Sequence, residues 1–406
     1  MSIVVQKFGG TSVADAEKIA RAARRAIKAK LDGHQVVMVV SAMGKTTDHL
    51  VALAREVNPS PPKREMDMLL TTGEQVSISL MAMAISAAGH EAISFTGGQV
   101  GMITDASHTK ARIRSIDAAR IHHELEAGHV VIVAGFQGVT EQGAITTLGR
   151  GGSDTTAVAL AAALKAGMCE VYTDVDGVYT TDPRIVPEAR KMNFISYDEM
   201  LELASLGAGV MHSRSIEFGK KYNVPIHVRS SLTDTDGTMI VAETPDMEQI
   251  VVRGVTLKRD LARVLLMGVP NKPGVAGDIF ARVAEHNIVV DDIIQNIYER
   301  GGLANIGFTT TLGDLDEAKG ICEKLAREIG IRSVEVDSNV AKVSIVGIGM
   351  KAHTGVASRM FKALADGQVN IQNISTSEIV ISCIVDQNDG EKALRLLHNA
   401  FELDRG

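Results

Sequence analysis

The sequence predicts an α/β protein: a three-layer αβα domain with a mostly parallel sheet, followed by two smaller α+β units. Residues 1–230 alternate short Val/Ile-rich runs with amphipathic stretches, as parallel strands joined by covering helices do. Residues 263–406 contain an internal repeat. A length of 406 residues is enough for two or three domains.

The strands of the first domain are predicted from short apolar runs, which indicate burial on both faces of a sheet. The chain opens with the run Ile3–Val5, and the later runs are Gln35–Val40, Ala92–Phe95, Val130–Val133, Glu170–Thr173 and Ile226–Val228. The polar stretch Ser230–Gly237 is predicted to be a linker. We expect the first domain to extend over residues 1–245.

The first helix is predicted from its cap and its apolar face. Ser12 is expected to cap it, with Asp15 three residues later as the capping-box partner. The apolar face would hold Ala16, Ile19, Ala20, Ala23 and Ile27, and the helix would end near Gly33.

The second half of the chain repeats one motif. Gly274-Val275-Ala276, Phe280 and Ala284 recur as Gly355-Val356-Ala357, Phe361 and Ala365. Residues 263–338 close with a strand at 333–336, which gives βαββαβ, whereas residues 341–406 lack a sixth element. The run 249–257 precedes the first repeat, and we expect it to complete the second, since an exposed sheet edge would otherwise remain.

Composition excludes several classes of function. A net charge of −7 and 3% aromatic residues argue against nucleic-acid binding, which uses basic patches and stacking rings. No apolar run of about 18 residues occurs, so no membrane span is predicted. The chain opens on a predicted core strand rather than an export signal, and its three cysteines lie far apart, so a reduced, cytoplasmic location is expected.

Lys7-Phe8-Gly9-Gly10-Thr11-Ser12, directly after the first strand, is the strongest local signal. Glycines let backbone amides approach phosphate oxygens, while the helix N-terminus and a lysine supply positive charge. Gly149-Arg150-Gly151-Gly152-Ser153-Asp154 repeats the design. An ordinary strand-to-helix turn remains the alternative for the first motif.

Other polar groups follow predicted strands, where an open α/β sheet holds its ligand. They are Ser41 with Lys45 and Thr47, Phe136-Gln137, and Thr173-Asp174. Glu74, within Thr72–Gln75, interrupts an apolar helical pattern and is either functional or a solvated residue at a helix start. The loop Asp176–Arg184 suits a nucleotide or an ordinary surface.

Taken in order, Lys7–Ser12, Thr72–Gln75, Phe95–Gln99, Leu148–Asp154 and Tyr172–Arg184 resemble the aspartokinases, of the amino-acid kinase fold. The resemblance covers essentially the whole chain, and the repeats resemble ACT domains. It implies phosphorylation of the L-aspartate side chain by ATP to give 4-phospho-L-aspartate, the first step of lysine, threonine and methionine biosynthesis. Mg²⁺ would be held mainly through nucleotide phosphates, without a dedicated metal site in the protein.

The resemblance also assigns site residues. Lys7 and Asp154 would be catalytic. ATP would be bound by Lys7, Phe8, Gly9, Gly10, Ser41, Thr173, Asp174, Tyr179, Thr180, Thr181, Asp182, Pro183 and Arg184. Aspartate would be bound by Thr47, Glu74, Phe136, Arg150, Gly151, Gly152, Ser153 and Asp154.

One position departs from the family pattern. Many aspartokinases have a lysine that helps to hold nucleotide phosphates where this chain has Gly209. Lys45, Arg184 or another cation would have to compensate. This position keeps an amino-acid sensor with weak catalysis as one alternative, and another amino-acid kinase of the same fold is a separate alternative.

The ACT-like repeats imply feedback control by lysine, threonine or both, and a dimer or larger homo-oligomer. Candidate effector contacts in the first repeat are Asn271, Asp278, Gln295 and Asn296. Those in the second are Asn370, Ser375, Thr376, Glu378 and Ser382. For each of them, plain loop polarity is the alternative.

Overall fold

The computed structural model describes residues 2–243, 251–298 and 302–405, which form two compact units. Unit 1 holds the described residues up to Tyr179 and those from Lys191 to 243. Unit 2 holds Thr180–Arg190 and the described residues from 251 onward. The continuous domain expected over 1–245 is thus interrupted by a segment of unit 2. The expected boundary at 245 and residues 249 and 250 of the run 249–257 lie outside the described residues.

Short apolar runs form the strands of unit 1, as the sequence predicts. Over the described range they are β1 (Ile3–Phe8), β2 (Gln35–Val40), β3 (Ala92–Phe95), β4 (Met102–Thr104), β5 (Ile113–Ile116), β6 (Val130–Ala134), β7 (Gln137–Thr140), β8 (Ile145–Thr147), β9 (Met168–Thr173), β10 (Phe194–Ser196), β11 (Ile226–Ser230) and β12 (Thr238–Val241). The helices between them are α1 (Ala16–Leu31), α2 (Thr46–Val57), α3 (Lys63–Leu70), α4 (Thr72–Ala87), α5 (Ala119–Glu126), α6 (Gly152–Ala163), α7 (Tyr197–Ser205) and α8 (Ser213–Tyr222).

The main sheet of unit 1 has the strand order β10-β12-β11-β9-β1-β2-β6-β3. Its pairs are parallel except for β11 with β12. Helices α1 and α4 bury one face around Phe8, Met38 and Ile132, and α6 packs against the other face at β1, β2 and β9. A smaller sheet, β5-β4-β7-β8, extends from this core. The predicted fold class is confirmed.

The start of α1 differs from the prediction. Asp15, not Ser12, is the N-cap, and its carboxylate accepts a 2.9 Å hydrogen bond from the Lys18 backbone N–H. Ser12 lies in a preceding 3₁₀ turn, Gly10–Val13, and donates to the Ser231 hydroxyl. The helix therefore starts at Ala16, about one turn later than a cap at Ser12 would place it.

Unit 2 contains two four-stranded sheets, each with helices. In chain order its elements are β13 (Gly254–Lys258), β14 (Ala262–Pro270), α9 (Val275–Glu285), β15 (Asp291–Tyr298), β16 (Leu303–Thr310), α10 (Leu315–Ile329), β17 (Ser333–Asp337), β18 (Val340–Val346), α11 (Val356–Asp366), β19 (Asn373–Thr376), β20 (Val380–Asp386) and α12 (Gly390–Ala400). The sheets have the orders β15-β16-β14-β17 and β13-β18-β20-β19. Strand β13 pairs antiparallel with β18 in the second sheet. In the sequence, the elements of the first repeat therefore follow β13 and precede the other strands of that sheet.

One helical stretch of the described residues, 63–87, has the length and hydropathy of a membrane-crossing helix. Length and composition alone also select core helices, and 44% of its most apolar window is buried. The stretch comprises α3 and α4, and α4 contributes Ile78, Met81 and Ile85 to the core of unit 1.

Candidate active site

The turn after β1 is tied to the loop that follows β2 and to the last residues of β9. The Gly9 backbone N–H donates to the Tyr172 carbonyl at 3.3 Å, and the Gly44 N–H donates to the Gly10 carbonyl at 2.9 Å. A Cβ on Gly10 would lie 2.8 Å from the Ala42 carbonyl oxygen, so only glycine fits there. Three strand ends of the parallel sheet thus meet where ligands of such folds bind.

Lys7 and Asp154 form an ion pair beneath this turn. The Lys7 Nζ lies 2.6 Å from the Asp154 Oδ1, and the two side chains are 11% and 12% exposed. A Cβ on Gly9 would stand 3.4 Å from the same Nζ, so the glycine keeps the ammonium group accessible from the turn. Asp154 lies in the first turn of α6, whose N-terminus adds partial positive charge. The arrangement can stabilise a phosphoryl group.

The start of α6 is closely packed. Gly151 has a φ of +67°, and a Cβ there would lie 2.2 Å from the His212 Cβ. A Cβ on Gly135 would meet the Ser153 Oγ at 2.7 Å. Both glycines are required sterically, and they bring the second glycine motif against the end of β6.

Arg150 lies just before α6, on a loop whose backbone is held by another side chain. Its side chain is exposed and makes no ion pair with another described residue. The Arg214 guanidinium donates to the Leu148 carbonyl and to the Ala111 carbonyl, each at 2.9 Å. The loop is therefore fixed, while the Arg150 guanidinium is available for an anionic group.

Glu74 is buried in the first turn of α4, with 2% of the residue exposed, so the solvated alternative is wrong. Its Oε1 accepts from the Ala42 backbone N–H at 3.1 Å, and its buried Oε2 has no partner among the described residues. Burial raises the pKa of Glu74 to about 7, against the hydrogen bond from Ala42. An unpartnered oxygen on a buried carboxylate suits a cationic group.

The other expected substrate residues lie at the same edge of the sheet. Thr47 is half-buried in the first turn of α2, and Phe136 follows β6 with a φ of +69°. The Phe136 N–H donates to the Thr156 hydroxyl on α6 at 3.1 Å. Ser41 follows β2, and its N–H donates to the Phe8 carbonyl at 3.1 Å.

The expected nucleotide residues divide between the two units. Thr173, Asp174 and Tyr179 belong to unit 1, whereas Thr180–Arg184 belong to unit 2. The Thr173 hydroxyl donates to the Asp174 carboxylate at 3.1 Å, and the Tyr179 hydroxyl donates to Asp176 at 2.8 Å.

Within unit 2, these residues already have partners. The Thr180 hydroxyl lies 3.1 Å from the His398 Nε2, and Thr181 is buried. Arg184 donates to Asp182 at 2.7 Å, and this hydrogen bonding lowers the pKa of the Asp182 carboxyl. Pro183 and Arg184 are exposed.

Sequence reasoning missed Asp67 on α3. Its carboxylate is fully buried, accepts from the Thr147 hydroxyl at 2.5 Å and lies 2.7 Å from the His108 Nδ1. Thr147 ends β8, three residues before Arg150. Asp67 gives little sequence signal, because α3 already carries Lys63, Arg64 and Glu65 and its charges resemble those of an ordinary surface helix. Arg214 had no comparable signal, since its acceptors are backbone carbonyls of distant segments.

The expected effector residues are only partly brought together. Thr376 and Glu378 line a cavity of about 350 Å³ beside the start of α11, together with Met350, His353, Gly355, Val356, Ala357, Ser377 and Ile381. Ser382 is buried against the Ser344 hydroxyl at 2.7 Å, and Ser375 donates to Asp292 of the first repeat at 2.9 Å. Asn370 is exposed outside the lining of this cavity.

In the first repeat, the Gln295 Nε2 donates to the Asn271 Oδ1 at 3.4 Å. Asn296 follows on the same strand and points to the opposite face, since strand side chains alternate. Asp278 is exposed in the first turn of α9.

Gly209 lies between α7 and α8. A Cβ there would meet no atom within 4 Å, and its φ is not positive. Neither packing nor backbone geometry therefore requires glycine at this position.

Family comparisons agree with this architecture. Residues 2–230 match the amino acid kinase family, and residues 263–330 and 343–401 each match the ACT domain. Aspartokinase 2 of Bacillus subtilis is 52% identical over 405 residues, which is 100% of this chain and 99% of that relative. The Pseudomonas aeruginosa aspartokinase is 50% identical over 406 residues, covering 100% of this chain and 98% of its own length.

A solved structure shows the same likeness at lower identity. Escherichia coli aspartokinase III in complex with aspartate and ADP is 27% identical, with a TM-score of 0.84 over 98% of this chain and 99% of that one. The same enzyme with lysine and aspartate has a TM-score of 0.76 over the same shares. By identity, coverage and fold, the chain belongs to the aspartokinase family.

Proposed function

We propose that this protein transfers the γ-phosphoryl group of ATP to the side-chain carboxylate of L-aspartate, giving 4-phospho-L-aspartate and ADP. The observation that supports this most strongly is the Lys7–Asp154 pair beneath the Gly9-Gly10 turn. The E. coli relative that binds aspartate and ADP has the same fold.

The proposed phosphoryl transfer requires neutralisation of negative charge rather than a general base. A carboxylate nucleophile is already ionised at neutral pH. The obstacle is the approach of one anion to another, so a fixed ammonium and backbone N–H groups supply the stabilisation. Lys7 holds the transferring phosphoryl group, with Gly9 and Gly10 giving it access, and Asp154 orients the Lys7 side chain.

The substrate's two other charges find separate partners in this proposal. The Glu74 carboxylate receives the ammonium of aspartate, and the exposed Arg150 guanidinium receives the α-carboxylate as a planar fork. Thr47, Phe136 and Ser153, with Gly151 and Gly152 at the start of α6, line the same pocket.

ATP is proposed to bind along the loops after β1, β2 and β9, where Phe8, Ser41, Thr173, Asp174 and Tyr179 lie. From the family resemblance, Thr180–Arg184 are also proposed as contacts of the nucleotide. Among the described residues, no cluster of three or more His, Cys, Asp or Glu side chains could hold a metal ion. We propose that Mg²⁺ is held mainly through the nucleotide phosphates and water, in keeping with its preference for oxygen ligands.

Unit 2 is proposed to bind lysine, threonine or both as feedback inhibitors of this first step of their biosynthesis. The cavity at Thr376 and Glu378 offers a carboxylate and a hydroxyl beside the N-terminus of α11, which suit the charged ends of an amino acid. The lysine complex of the E. coli relative supports lysine as one effector.

A homo-oligomer joined through the ACT sheets is also proposed. Strand β15 is an edge strand, and its Ile293 and Ile297 are 52% and 63% exposed. Apolar side chains on an open edge favour pairing with a second copy. A cytoplasmic location fits free, buried cysteines at positions 169, 322 and 383.

A hydroxamate assay with ATP and Mg²⁺ tests the reaction, because hydroxylamine traps acyl phosphates. We expect product with aspartate and none with glutamate or without an amino acid. Product with glutamate alone would indicate another amino-acid kinase. Silence with all three, together with lysine binding measured by calorimetry, would indicate the amino-acid sensor that Gly209 keeps as the second candidate.

A further inference from the structure

A second concave site of unit 1 lies apart from the residues assigned above. It has a volume of about 750 Å³ and lies between α1 and the strands β1, β9 and β11. Its walls include Gln6 of β1, Glu170 and Tyr172 of β9, and Arg229 of β11. None of these side chains takes part in the proposed reaction.

The lining of this cleft carries excess positive charge. Five cationic side chains line it, four of them on α1, against three carboxylates: Arg21, Arg24, Arg25, Lys28 and Arg229 against Asp32, Glu170 and Asp234. Arg24 and Lys28 are exposed and form no ion pair within the described part of the chain.

The one well-buried carboxylate of the cleft has its hydrogen bonds to side chains outside α1. Glu170 accepts from the Gln6 amide at 2.8 Å, the Tyr172 hydroxyl at 3.1 Å and the Arg229 guanidinium at 2.9 Å. None of these three donors belongs to α1. Arg25 donates to the Thr233 carbonyl at 2.6 Å and pairs with Asp234, whose 89% exposure makes this ion pair weak.

Three buried polar atoms in the cleft have no hydrogen-bond partner among the described residues. They are the Gln6 Oε1, the Arg25 Nε and the Arg229 Nε. Gln6 is 2% exposed, and since its Nε2 donates to Glu170, its Oε1 is turned away from that carboxylate. Buried polar groups are normally paired, so a set of unpaired ones indicates a ligand.

The two guanidinium groups lie around one aromatic ring. The Arg25 Cζ is 4.9 Å and the Arg229 Cζ 5.8 Å from the centre of the Tyr172 ring. Planar guanidinium groups held in this way offer N–H donors to phosphate or carboxylate oxygens. The Gln6 Oε1 accepts only from a donor, such as a hydroxyl group.

We propose that this cleft binds a small polyanion that bears phosphate or carboxylate groups together with a hydroxyl. Arg25 and Arg229 hold the anionic oxygens, Gln6 accepts from the hydroxyl, and Arg24 and Lys28 neutralise the remaining charge. The site adjoins the glycine turn from behind: Gln6 precedes Lys7 in β1, and the Tyr172 ring stacks on Phe8 at 4.7 Å.

The test is isothermal titration calorimetry of the full chain at constant ionic strength, with ADP and aspartate at saturation to occupy the active site. Citrate and glycerol 3-phosphate, each of which carries a hydroxyl group, are the two probes. We expect saturable binding of at least one probe, and the probe that binds tells carboxylate from phosphate chemistry.

Variants separate a built site from general surface charge. In R24Q/K28Q we expect affinity to fall at least about tenfold, whereas the matched control R55Q/K63Q, exposed and cationic on α2 and α3, should bind as the wild type does. Arg25→Lys keeps the charge and loses the fork, so it should also weaken binding.

Three outcomes overturn the proposal. The first is no saturable heat with either probe. The second is equal loss in R24Q/K28Q and R55Q/K63Q, which would mean a general charge effect. The third is binding that disappears as protein concentration rises, which would make a second copy of this chain the occupant of the cleft.

Discussion

At the scale of single residues, burial separates two charged groups that could otherwise both be surface features. Lys7 is buried, and its Nζ lies 2.6 Å from the Asp154 Oδ1, which fixes the direction of the side chain. Glu74 is buried with only a backbone donor, and its pKa rises to about 7. Lys7 is therefore suited to bind an anionic group, and Glu74 is suited to bind a cationic one.

The raised pKa of Glu74 predicts pH-dependent substrate binding. Only the ionised carboxylate attracts the aspartate ammonium, so KM for aspartate should fall as pH rises through about 7. In Glu74→Gln it should be high and flat between about pH 6 and 8. Steady-state kinetics with ATP saturating checks this, and an unchanged pH profile in the variant would remove Glu74 from the ammonium site.

The same residue predicts a stability trend. The folded pKa of about 7 exceeds the usual 4.5, so the folded state binds the proton more tightly than the unfolded chain does. The stabilisation that the folded state gains by binding this proton is complete below pH 4.5 and is lost as pH rises to about 7. Denaturant unfolding should show a shallower fall in the free energy of unfolding over this window for Glu74→Gln than for the wild type.

Arg150→Ala should raise KM for aspartate by about 10- to 100-fold, because two charge-assisted hydrogen bonds are lost. KM for ATP should stay near its normal value. Arg150→Lys keeps the charge but loses the planar fork, so its KM for aspartate should lie between the values for the wild type and for Arg150→Ala. If only KM for ATP moved, the assignment of the substrate half would be wrong.

Many of the residues proposed for the site follow from sequence motifs, since glycine pairs, lysine and strand ends are local signals. The unpartnered oxygen of Glu74 and the two hydrogen bonds of Arg214 to backbone carbonyls could not be predicted from motifs. Both depend on which distant parts of the chain the fold brings close to these side chains. Ser12 shows the same limit: the cap pattern was present, but tertiary constraints on the turn placed the cap at Asp15.

At the scale of elements, the loop from β8 to α6 carries the second glycine motif and is fixed by side chains outside it. Arg214 holds the Leu148 carbonyl, and Asp67 holds the Thr147 hydroxyl. Strands and helices of strong periodicity were predictable, but this support was not, since each contact joins segments more than 60 residues apart.

Arg214→Gln should therefore act on the substrate through the loop. We expect KM for aspartate to rise by about tenfold, with KM for ATP changed far less, since the hydrogen bonds that tie the Leu148 carbonyl of the loop to the Ala111 carbonyl through Arg214 are lost. Arg120→Gln, which removes a guanidinium that stacks on Phe95, is the control. Equal effects on both substrates would indicate general loosening rather than positioning.

At the scale of the whole molecule, the segment Thr180–Arg190 leaves unit 1 and joins unit 2 before the chain returns at Lys191. Val186 and Ile185 pack in the core of the second ACT sheet, and the Ile185 carbonyl accepts from Arg395. Sequence patterns assigned this segment to the kinase domain, because chain continuity gives no signal of such a crossing. The predicted loop thus begins in one unit and ends in the other.

Val186→Ala should destabilise unit 2 by ~2 kcal/mol, because it removes two buried methyl groups from that core. Val57→Ala, at an 82% exposed position on α2, should change stability by less than ~0.5 kcal/mol. Scanning calorimetry of the full chain measures both. Equal melting behaviour of the two variants would show that the segment does not support unit 2.

The central claim is that Lys7, oriented by Asp154, neutralises the charge of the transferring phosphoryl group. The most direct measurement is kcat of Lys7→Ala in the hydroxamate assay, with circular dichroism to verify the fold. Loss of one preorganised donor predicts a fall in kcat of at least about 100-fold in a folded variant. A folded Lys7→Ala protein with near-normal kcat would contradict the account.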